Sequence, residues 1–306
     1  MQEENIMKSN QRLGQRRTLF IFLMLLPSML LPLVFTYYPL VKGGIMAFQN
    51  YTLMNIKNVS WCGLDNFKAI LSNSAGVDFG QIAWNTVKWV LISLTLQFTM
   101  GFALSLMLKK KFAGAGVYQG LVFFPYAVSG FLIGIMWRWM FNGSNGVIND
   151  LLMNLGLIEL NIGWLAQKET ALLSCVIANV WYGIPFFTIM ITAALRGVAP
   201  ELYEAADMDG ANKIQQFFNV TVPSIKSVLL MTVLMRVIWI FNFPDLIYSM
   251  TSGGPANSSQ IITSYMMTLV YSMDYGKASA VGLMVIAFLA IFCLIYMAVT
   301  NYTSED

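Results

Sequence analysis

The sequence predicts an all-α, polytopic membrane protein with six transmembrane helices. Of its 306 residues, 57% are hydrophobic and 11% are charged, whereas soluble domains carry about 25% charged residues. Six apolar stretches have the length of about 20 residues that crosses a bilayer core of about 30 Å. They lie at residues 18–38, 84–108, 117–140, 170–193, 223–248 and 279–300. Each must be helical, because in lipid every backbone N–H and C=O needs a partner within the protein.

The first stretch is predicted to stay in the protein as a membrane helix. Its apolar run is longer than that of a signal peptide, and it ends in Thr36-Tyr-Tyr-Pro39 rather than in the small residues of a cleavage site. The loop that follows, residues 39–83, has room for a short helix but not for a further domain. We therefore expect a tail, one membrane domain and a second tail, at residues 1–17, 18–300 and 301–306.

Lysine and arginine residues are concentrated on one side of the predicted six-helix arrangement. They lie in the amino-terminal tail and in the loops after the second and fourth stretches, at Lys8, Arg12, Arg16, Arg17, Lys109, Lys110, Lys111, Arg196 and Lys213. The opposite loops carry lysines more thinly. Because positive residues favour the cytoplasmic side, we expect both termini and the loop after the fourth stretch to face the cytoplasm of a cell membrane.

The composition argues against catalysis. The chain contains no histidine, which is the commonest general base and metal ligand. Its cysteines, Cys62, Cys175 and Cys293, have no metal-ligand spacing, and no glycine-rich phosphate loop precedes a Lys-Ser or Lys-Thr pair. The net charge of +3 forms no basic stripe with interleaved aromatic residues, so we expect no nucleic-acid partner. The sequence predicts a protein that is not an enzyme and that binds no metal or cofactor itself.

The loop between the fourth and fifth stretches, residues 200–223, is polar and helix-forming. Pro200 suits a first helical turn, and Glu204 lies near the positive end of that helix. Ala205 and Ala206 leave a face with little bulk that a partner can approach closely. Gly210 permits the positive φ of a sharp turn between two short helices. These features predict a helical hairpin that docks on another protein.

An amphipathic segment lying on lipid headgroups is the alternative interpretation of this loop. Such segments carry basic residues on the polar face, whereas this one carries Glu201, Glu204, Asp207 and Asp209 against Lys213. An acidic segment is poorly suited to an anionic inner leaflet. The charge pattern therefore favours a protein partner.

The spacing of this loop resembles the EAA motif of ABC-importer permeases. Glu204-Ala-Ala precedes Gly210, and nine residues separate Gly210 from Val220-Thr-Val-Pro223, where Val220 and Val222 replace the family's Ile and Leu. The resemblance implies the type I ABC importer permease fold, in which this loop is the coupling helix that docks on a cytoplasmic ATPase. It implies coupling contacts from Glu204, Ala205, Ala206, Asp209, Gly210, Ala211 and Phe217. ATP and Mg would be bound by that ATPase and not by this chain.

A second signature lies at the end of the fifth stretch. Residues 241–255, FNFPDLIYSMTSGGP, resemble the F-N-x-F-D-x-[IL]-Y-x-[ML]-T-x-G-G-P segment of carbohydrate permeases of the maltose-transporter type, with Pro244 in place of Phe. Phe124-Pro-Tyr126 and Asn85-Thr86 also resemble that family. The resemblance implies the larger-type subunit of a heterodimeric sugar or oligosaccharide importer. Its implied partners are a second homologous permease, an ATPase dimer and an extracytoplasmic sugar-binding protein.

The fifth stretch carries the residue types that a sugar pathway needs. Sugars present C–H faces that suit aromatic rings and hydroxyl groups that suit polar side chains. Arg236, Trp239 and Asn242 are three residues apart and share one broad helix face, whereas Asp245 continues the series on the other side. An arginine in mid-span costs about 2.5–3.5 kcal/mol, so we expect it to face a pore or a paired helix. Pro244 is predicted to kink the helix.

Other residues complete the candidate pathway, and each has a structural alternative. The fourth stretch adds three aromatic residues whose rings could stack on a sugar, Trp181, Tyr182 and Phe186. Trp239 could instead face lipid, Asn242 could join two helices, Arg236 could pair with the partner permease, and Asp245 could be structural or part of a gate. Gly130 and Gly134 form a G-x-x-x-G pair that is predicted to serve close helix packing.

The resemblance also implies a mechanism. ATP binding closes the ATPase dimer and pulls the coupling helices together, and the two permeases rock from inward-open to outward-open. Three alternatives stay open. A glycerol-phosphate importer shares these signatures and would give Arg236 a more direct role. An ion-gradient-driven secondary transporter would need carboxylates within its spans, for which Asp245 is the candidate. A membrane-embedded enzyme is disfavoured by the missing histidine.

Overall fold

The structure is a computed structural model that describes residues 20–73, 77–109 and 113–300. Its helices are, in chain order, α1 (Phe20–Met46), α2 (Asp65–Leu71), α3 (Phe79–Lys109), α4 (Ala115–Phe123), α5 (Gly130–Met140), α6 (Val147–Asn154), α7 (Lys168–Arg196), α8 (Pro200–Met208), α9 (Lys213–Gln216), α10 (Lys226–Phe241), α11 (Pro244–Thr251), α12 (Ile262–Tyr271) and α13 (Tyr275–Thr300). The predicted tails and the basic residues Lys110 and Lys111 lie outside the described residues.

The predicted membrane architecture is confirmed. Within the described residues, α1, α3, α7, the pair α10–α11 and α13 are each long and apolar enough to cross a membrane, and α4 with α5 forms a sixth, bent candidate. The first span runs further than predicted, to Met46. The fifth begins at Lys226 rather than at Pro223, which lies instead in the short helical turn Val222–Ser224.

The third predicted stretch, residues 117–140, is not one straight helix. The segment Ala115–Ala127, in which α4 continues into a 3-10 turn at Phe124–Ala127, is bent by 100° relative to α5, with the break at Val128 and Ser129. Pro125 lies in this turn, where it has no N–H to continue the helical ladder. Ser129 is extended and its hydroxyl accepts the N–H of Leu132, which caps the start of α5. The sequence pattern missed the bend because the residues on both sides of it are apolar.

The fifth span breaks between α10 and α11, as Pro244 predicted. Phe243 leaves the helical conformation with φ −123° and ψ 62°, and Pro244 begins α11. Because proline has no N–H, the carbonyl of Ile240, four residues earlier, loses its helical donor. The indole Nε1 of Trp89 donates to that carbonyl at 2.9 Å. The break is therefore compensated by a side chain from α3.

α11 packs closely against α5 through the predicted glycine pair. A Cβ added at Gly130 would meet the ring of Phe243, and one added at Gly134 would meet the hydroxyl of Ser249 and, at 3.1 Å, the carbonyl oxygen of Leu246. Both glycines therefore allow a helix approach that any side chain would prevent, which confirms the packing role.

Replacing Gly134 with alanine should destabilise the contact between α5 and α11. The added methyl group overpacks a filled site, at a cost of about 1–3 kcal/mol, and we expect a lower melting temperature of the detergent-solubilised protein. Gly120→Ala is the matched control, because nothing lies within 4 Å of a Cβ at Gly120. Equal melting temperatures for the two variants would contradict this account of the packing.

The segment after α1 is small and joins the bundle directly. Two short antiparallel strands, β1 (Gln49–Asn50) and β2 (Ser60–Trp61), form a hairpin. The buried amide of Asn66, in α2, donates to the carbonyls of Ala47 and Gln49 at 2.9 Å. The loop therefore holds local structure and, in its described part, no separate domain.

Candidate substrate pathway and coupling loop

The loop between α7 and α10 folds as two short helices joined by a sharp turn. α8 begins with Pro200 in its first turn. It ends where Gly210 adopts a φ of +76°, the N–H of Gly210 donates to the carbonyl of Asp207 at 3.1 Å, and the N–H of Ala211 donates to that of Ala206 at 2.9 Å. This pair of bonds is a Schellman motif, which requires a left-handed residue and so favours glycine. Asn212 then caps α9 through the N–H groups of its first turn.

Side-chain hydrogen bonds fix the angle between α8 and α9. The amide of Gln216 donates to a carboxylate oxygen of Asp207 and, at 3.1 Å, to the carbonyl of Ala211. Lys213 donates to Asp207 at 3.3 Å and to Gln216 at 3.0 Å. The hydrogen bonds from Gln216 and Lys213 hold the pKa of Asp207 below its usual value. Asp207 therefore stays ionised in the folded loop, and these contacts weaken only as the pH falls through the lowered pKa.

The predicted coupling residues occupy one region of this hairpin. Ala206, Asp209, Gly210 and Ala211 line a hollow of about 400 Å³, and Glu204 and Ala205 are exposed beside it on α8. Phe217 differs from them: it is half-buried, and its ring lies 5.6 Å from that of Phe102 in α3. Phe217 therefore forms a direct contact between the hairpin and the bundle.

Sequence reasoning missed the apolar residues exposed on the hairpin. These side chains project from both short helices, at Leu202, Met208 and Ile214. Met208 is 89% exposed and Ile214 71%. The sequence feature that could have revealed them is the presence of apolar residues in an otherwise polar loop.

A buried polar network crosses the middle of the bundle. The Nε of Arg236, in α10, donates to Oε1 of Gln97, in α3, at 2.7 Å. Nε2 of Gln97 donates to the backbone carbonyl of Asn179, in α7, at 2.8 Å, and the Asn179 amide donates to Ser93 Oγ at 3.0 Å. Arg236 is 3% exposed, and the other three are fully buried. As predicted, the arginine points into the protein, although the partner is an amide of this chain.

The network borders a cavity of about 260 Å³. Its lining combines aromatic rings with polar side chains, contributed by Tyr126, Asn179, Tyr182, Arg236, Trp239, Ile240, Asn242 and Phe243. The Tyr182 ring is stacked on Phe243 at 5.1 Å and on Tyr126 at 5.8 Å. The Arg236 guanidinium carbon lies 5.9 Å from the Tyr182 ring centre, within the range of a cation–π contact.

The structure brings four of the seven predicted pathway residues, Arg236, Trp239, Asn242 and Tyr182, to this cavity. Phe186 lies behind it, with its ring 5.0 Å from that of Trp239. The other two lie elsewhere. Trp181 packs on Trp137 at 5.9 Å, and Asp245 is exposed near the start of α11. α7 turns Trp181 away from Tyr182, because adjacent helical residues point about 100° apart.

Several lining and supporting residues were not predicted. Gln97 and Asn179 each stand alone as an amide within an apolar stretch, which was the available signal. Gly183 gave no signal, yet a Cβ there would meet the side chains of both Arg236 and Gln97. Its role depends on how closely α7 approaches α3 and α10.

Helices of membrane-spanning length around a cavity with polar and aromatic side chains are the arrangement expected of a membrane transport component. Comparison with known proteins makes this specific. Residues 97–304 match the family described as binding-protein-dependent transport system inner membrane component. The chain belongs to this family. Its members are transport components, which confirms the prediction that the chain is not an enzyme and agrees with a place in the inner membrane.

Relatives match over nearly the whole chain. A probable ABC transporter permease of Brucella suis is 32% identical over 95% of this chain and 100% of its own length. The trehalose/maltose transport system permease protein MalF of Thermococcus litoralis is 30% identical over 96% of this chain and 98% of its own length. A chain from the crystal structure of a bacterial alginate ABC transporter, in complex with its alginate pentasaccharide-bound periplasmic protein, is 26% identical, covers 95% of each chain and superposes with a TM-score of 0.75. The type I importer permease fold expected from the sequence is thereby confirmed.

Proposed function

We propose that this chain is the permease subunit of an ABC importer that carries a sugar or oligosaccharide. The observation that carries the proposal is the cavity in which Tyr182 and Trp239 border Arg236 and Asn242. Aromatic faces can stack on the C–H surface of a sugar ring, and the polar groups can hydrogen-bond its hydroxyl groups. Relatives named for trehalose, maltose and alginate transport support this substrate class.

A second, homologous permease is the proposed partner in the membrane. The cavity of about 260 Å³ is smaller than the range of about 300–1,000 Å³ of complete ligand pockets, as expected for half of a shared pathway. Trp239 is 40% exposed at its edge. The most apolar window of α1 is 0% buried, which leaves that helix free to lie against another chain or lipid.

The hairpin of α8 and α9 is the proposed docking element for a cytoplasmic ATPase that binds ATP and Mg. The exposed Met208 and Ile214 suit an apolar contact on a partner, and the hollow lined by Ala206 and Gly210 leaves space beside them for a partner side chain. Both chain termini would then be cytoplasmic. ATP-driven closure would move the hairpin, and the contact of Phe217 with Phe102 in α3 would transmit that movement to the bundle. An extracytoplasmic binding protein would deliver the sugar on the opposite side.

A phosphorylated substrate such as glycerol phosphate is the second candidate, because Arg236 would meet its negative charge directly. Within the described residues, the ion pairs involve Lys68, Lys213 and Lys277, and Arg236 has no carboxylate partner. The binding protein decides between the two substrates.

Purification in mild detergent from the native membrane, followed by mass spectrometry, tests the proposal. We expect a second permease and a P-loop ATPase to co-purify, and a binding protein from the same cells to stimulate ATP hydrolysis when it carries a sugar. Recovery of this chain alone, or with copies of itself, would contradict the heterodimeric importer. Stimulation by glycerol phosphate and by no sugar would favour the second candidate.

A further inference from the structure

The partner of the buried cation is neutral. Arg236 uses its Nε to bond Gln97 Oε1 at 2.7 Å. Gln97 is itself held, because its Nε2 bonds the Asn179 carbonyl at 2.8 Å. Within the described part of the chain, no ion pair reaches Arg236, which is nevertheless 3% exposed. The positive charge therefore remains uncompensated at the cavity wall.

A simple tether between α3 and α10 would not need an amide. A glutamate at position 97 has a side chain of the same length as glutamine and would also reach the guanidinium. Hydrogen bonds between a carboxylate and an arginine are roughly twice as strong as neutral ones. A carboxylate would also neutralise the charge and could take two of the five guanidinium N–H groups in a bidentate pair. An amide oxygen takes one and leaves the charge in place.

The surroundings fix where the remaining N–H groups lie. Nη2 of Arg236 lies against Gly183, where a Cβ would meet it. The Phe186 and Tyr182 rings lie 5.6 Å and 5.9 Å from the guanidinium carbon, within the range of cation–π contacts. The side chain borders the cavity together with Asn179 and Trp239.

We propose that Gln97 is a positioning residue for substrate binding. Together with the Asn179 carbonyl and the space left by Gly183, it holds the Arg236 guanidinium at the cavity wall without neutralising it. The terminal N–H groups then bind acceptor oxygens of the passing saccharide, either hydroxyl or carboxylate. This inference rests on the proposed function, because it requires that a saccharide enters the cavity.

Gln97→Glu is the decisive variant. If Gln97 serves to keep Arg236 available, the new carboxylate captures the guanidinium, and the KM for import rises about 10-fold or more, the size expected for loss of one charge-assisted hydrogen bond. The maximal rate stays at that of the wild type, while the melting temperature reports the gain of an ion pair against the loss of the hydrogen bond from Gln97 Nε2 to the Asn179 carbonyl. If Gln97 is a structural tether alone, the stronger ion pair leaves KM unchanged.

The experiment uses the complete transporter with its binding protein in proteoliposomes, and follows uptake of labelled maltose, trehalose and an alginate pentasaccharide. Gln81→Glu, an exposed position in the first turn of α3, is the control for the charge change. Gln97→Leu should also raise KM, with a lower melting temperature, because it removes the tether. If Gln97→Glu raises the KM for the acidic pentasaccharide more than the KM for the neutral sugars, the guanidinium contacts a carboxylate of the substrate. Equal increases in KM indicate contacts with hydroxyl groups.

The outcomes separate this inference from the proposed function. If the wild-type transporter takes up a probe and the KM of Gln97→Glu is within about twofold of the wild-type KM, the positioning role is overturned. The proposed function as an importer is then unaffected. Failure of the wild-type transporter with its binding protein to take up any saccharide, these three probes included, would overturn both.

Discussion

Replacing Gly210 with proline is expected to abolish ATP-driven import while the protein remains inserted in the membrane. Gly210 has a φ of +76°, which proline cannot adopt, and its N–H bonds the carbonyl of Asp207 at 3.1 Å. Loss of both features costs about 3 kcal/mol or more, which corresponds to about a 100-fold fall in the population of the native turn. Sugar uptake and ATPase stimulation in proteoliposomes measure the effect.

The chain offers a matched control for this backbone change. Gly156, after α6, has a φ of +68°, and it forms the same pair of bonds, from Gly156 to Met153 and from Leu157 to Leu152, both at 2.9 Å. Gly156→Pro breaks an equivalent turn outside the hairpin, so ATPase docking should survive. An equal loss in both variants would point to general misfolding.

Glu204→Lys should give a similar loss without backbone strain, because the side chain is exposed on α8 and reversal of its charge changes the docking surface. Normal import by both Glu204→Lys and Gly210→Pro would contradict the assignment of the hairpin to ATPase coupling.

Replacing Arg236 with methionine is expected to raise the KM for import about 10- to 100-fold. Hydrogen bonds to a charged group contribute about 1.5–3 kcal/mol, and the variant loses those that we propose to form with the sugar. It also leaves the Gln97 Oε1 acceptor buried without its donor, so the melting temperature should fall. Methionine keeps much of the side-chain volume, which limits the effect of a cavity.

Arg138→Met is the control for loss of an arginine, because Arg138 is exposed near the end of α5. Its import kinetics should match those of the wild type. A wild-type KM for Arg236→Met would rule out a substrate contact and leave Arg236 as a structural link between α10 and α3.

Much of the hairpin could be predicted from the sequence because its determinants are local. Pro200 at the start of α8, the left-handed Gly210 and the break before Pro244 each follow from one residue's own backbone restrictions. The bend between α4 and α5 was missed, although Pro125 lies in the 3-10 turn just before it. Hydropathy averages over a window and does not register a change of direction inside an apolar run.

The candidate cavity was likewise predictable only where its residues lie on one helix. The helical spacing of Arg236, Trp239 and Asn242 put them on one face of one helix, and they do border a common cavity. Which residues meet them from other helices depended on helix rotation and approach. That rotation directs Tyr182 to the cavity and packs its neighbour Trp181 on Trp137.

By itself, the sequence determined that the chain is a six-span helical membrane protein and where its helical hairpin turns. These properties follow from apolar length and from the backbone limits of single residues. The tertiary structure alone decided that Arg236 bonds Gln97, 139 residues away along the chain, and that Gly183 leaves room for both. Such pairings depend on how three helices pack. A buried charged group needs hydrogen-bond partners, and the packing decides which polar side chain lies within hydrogen-bond distance.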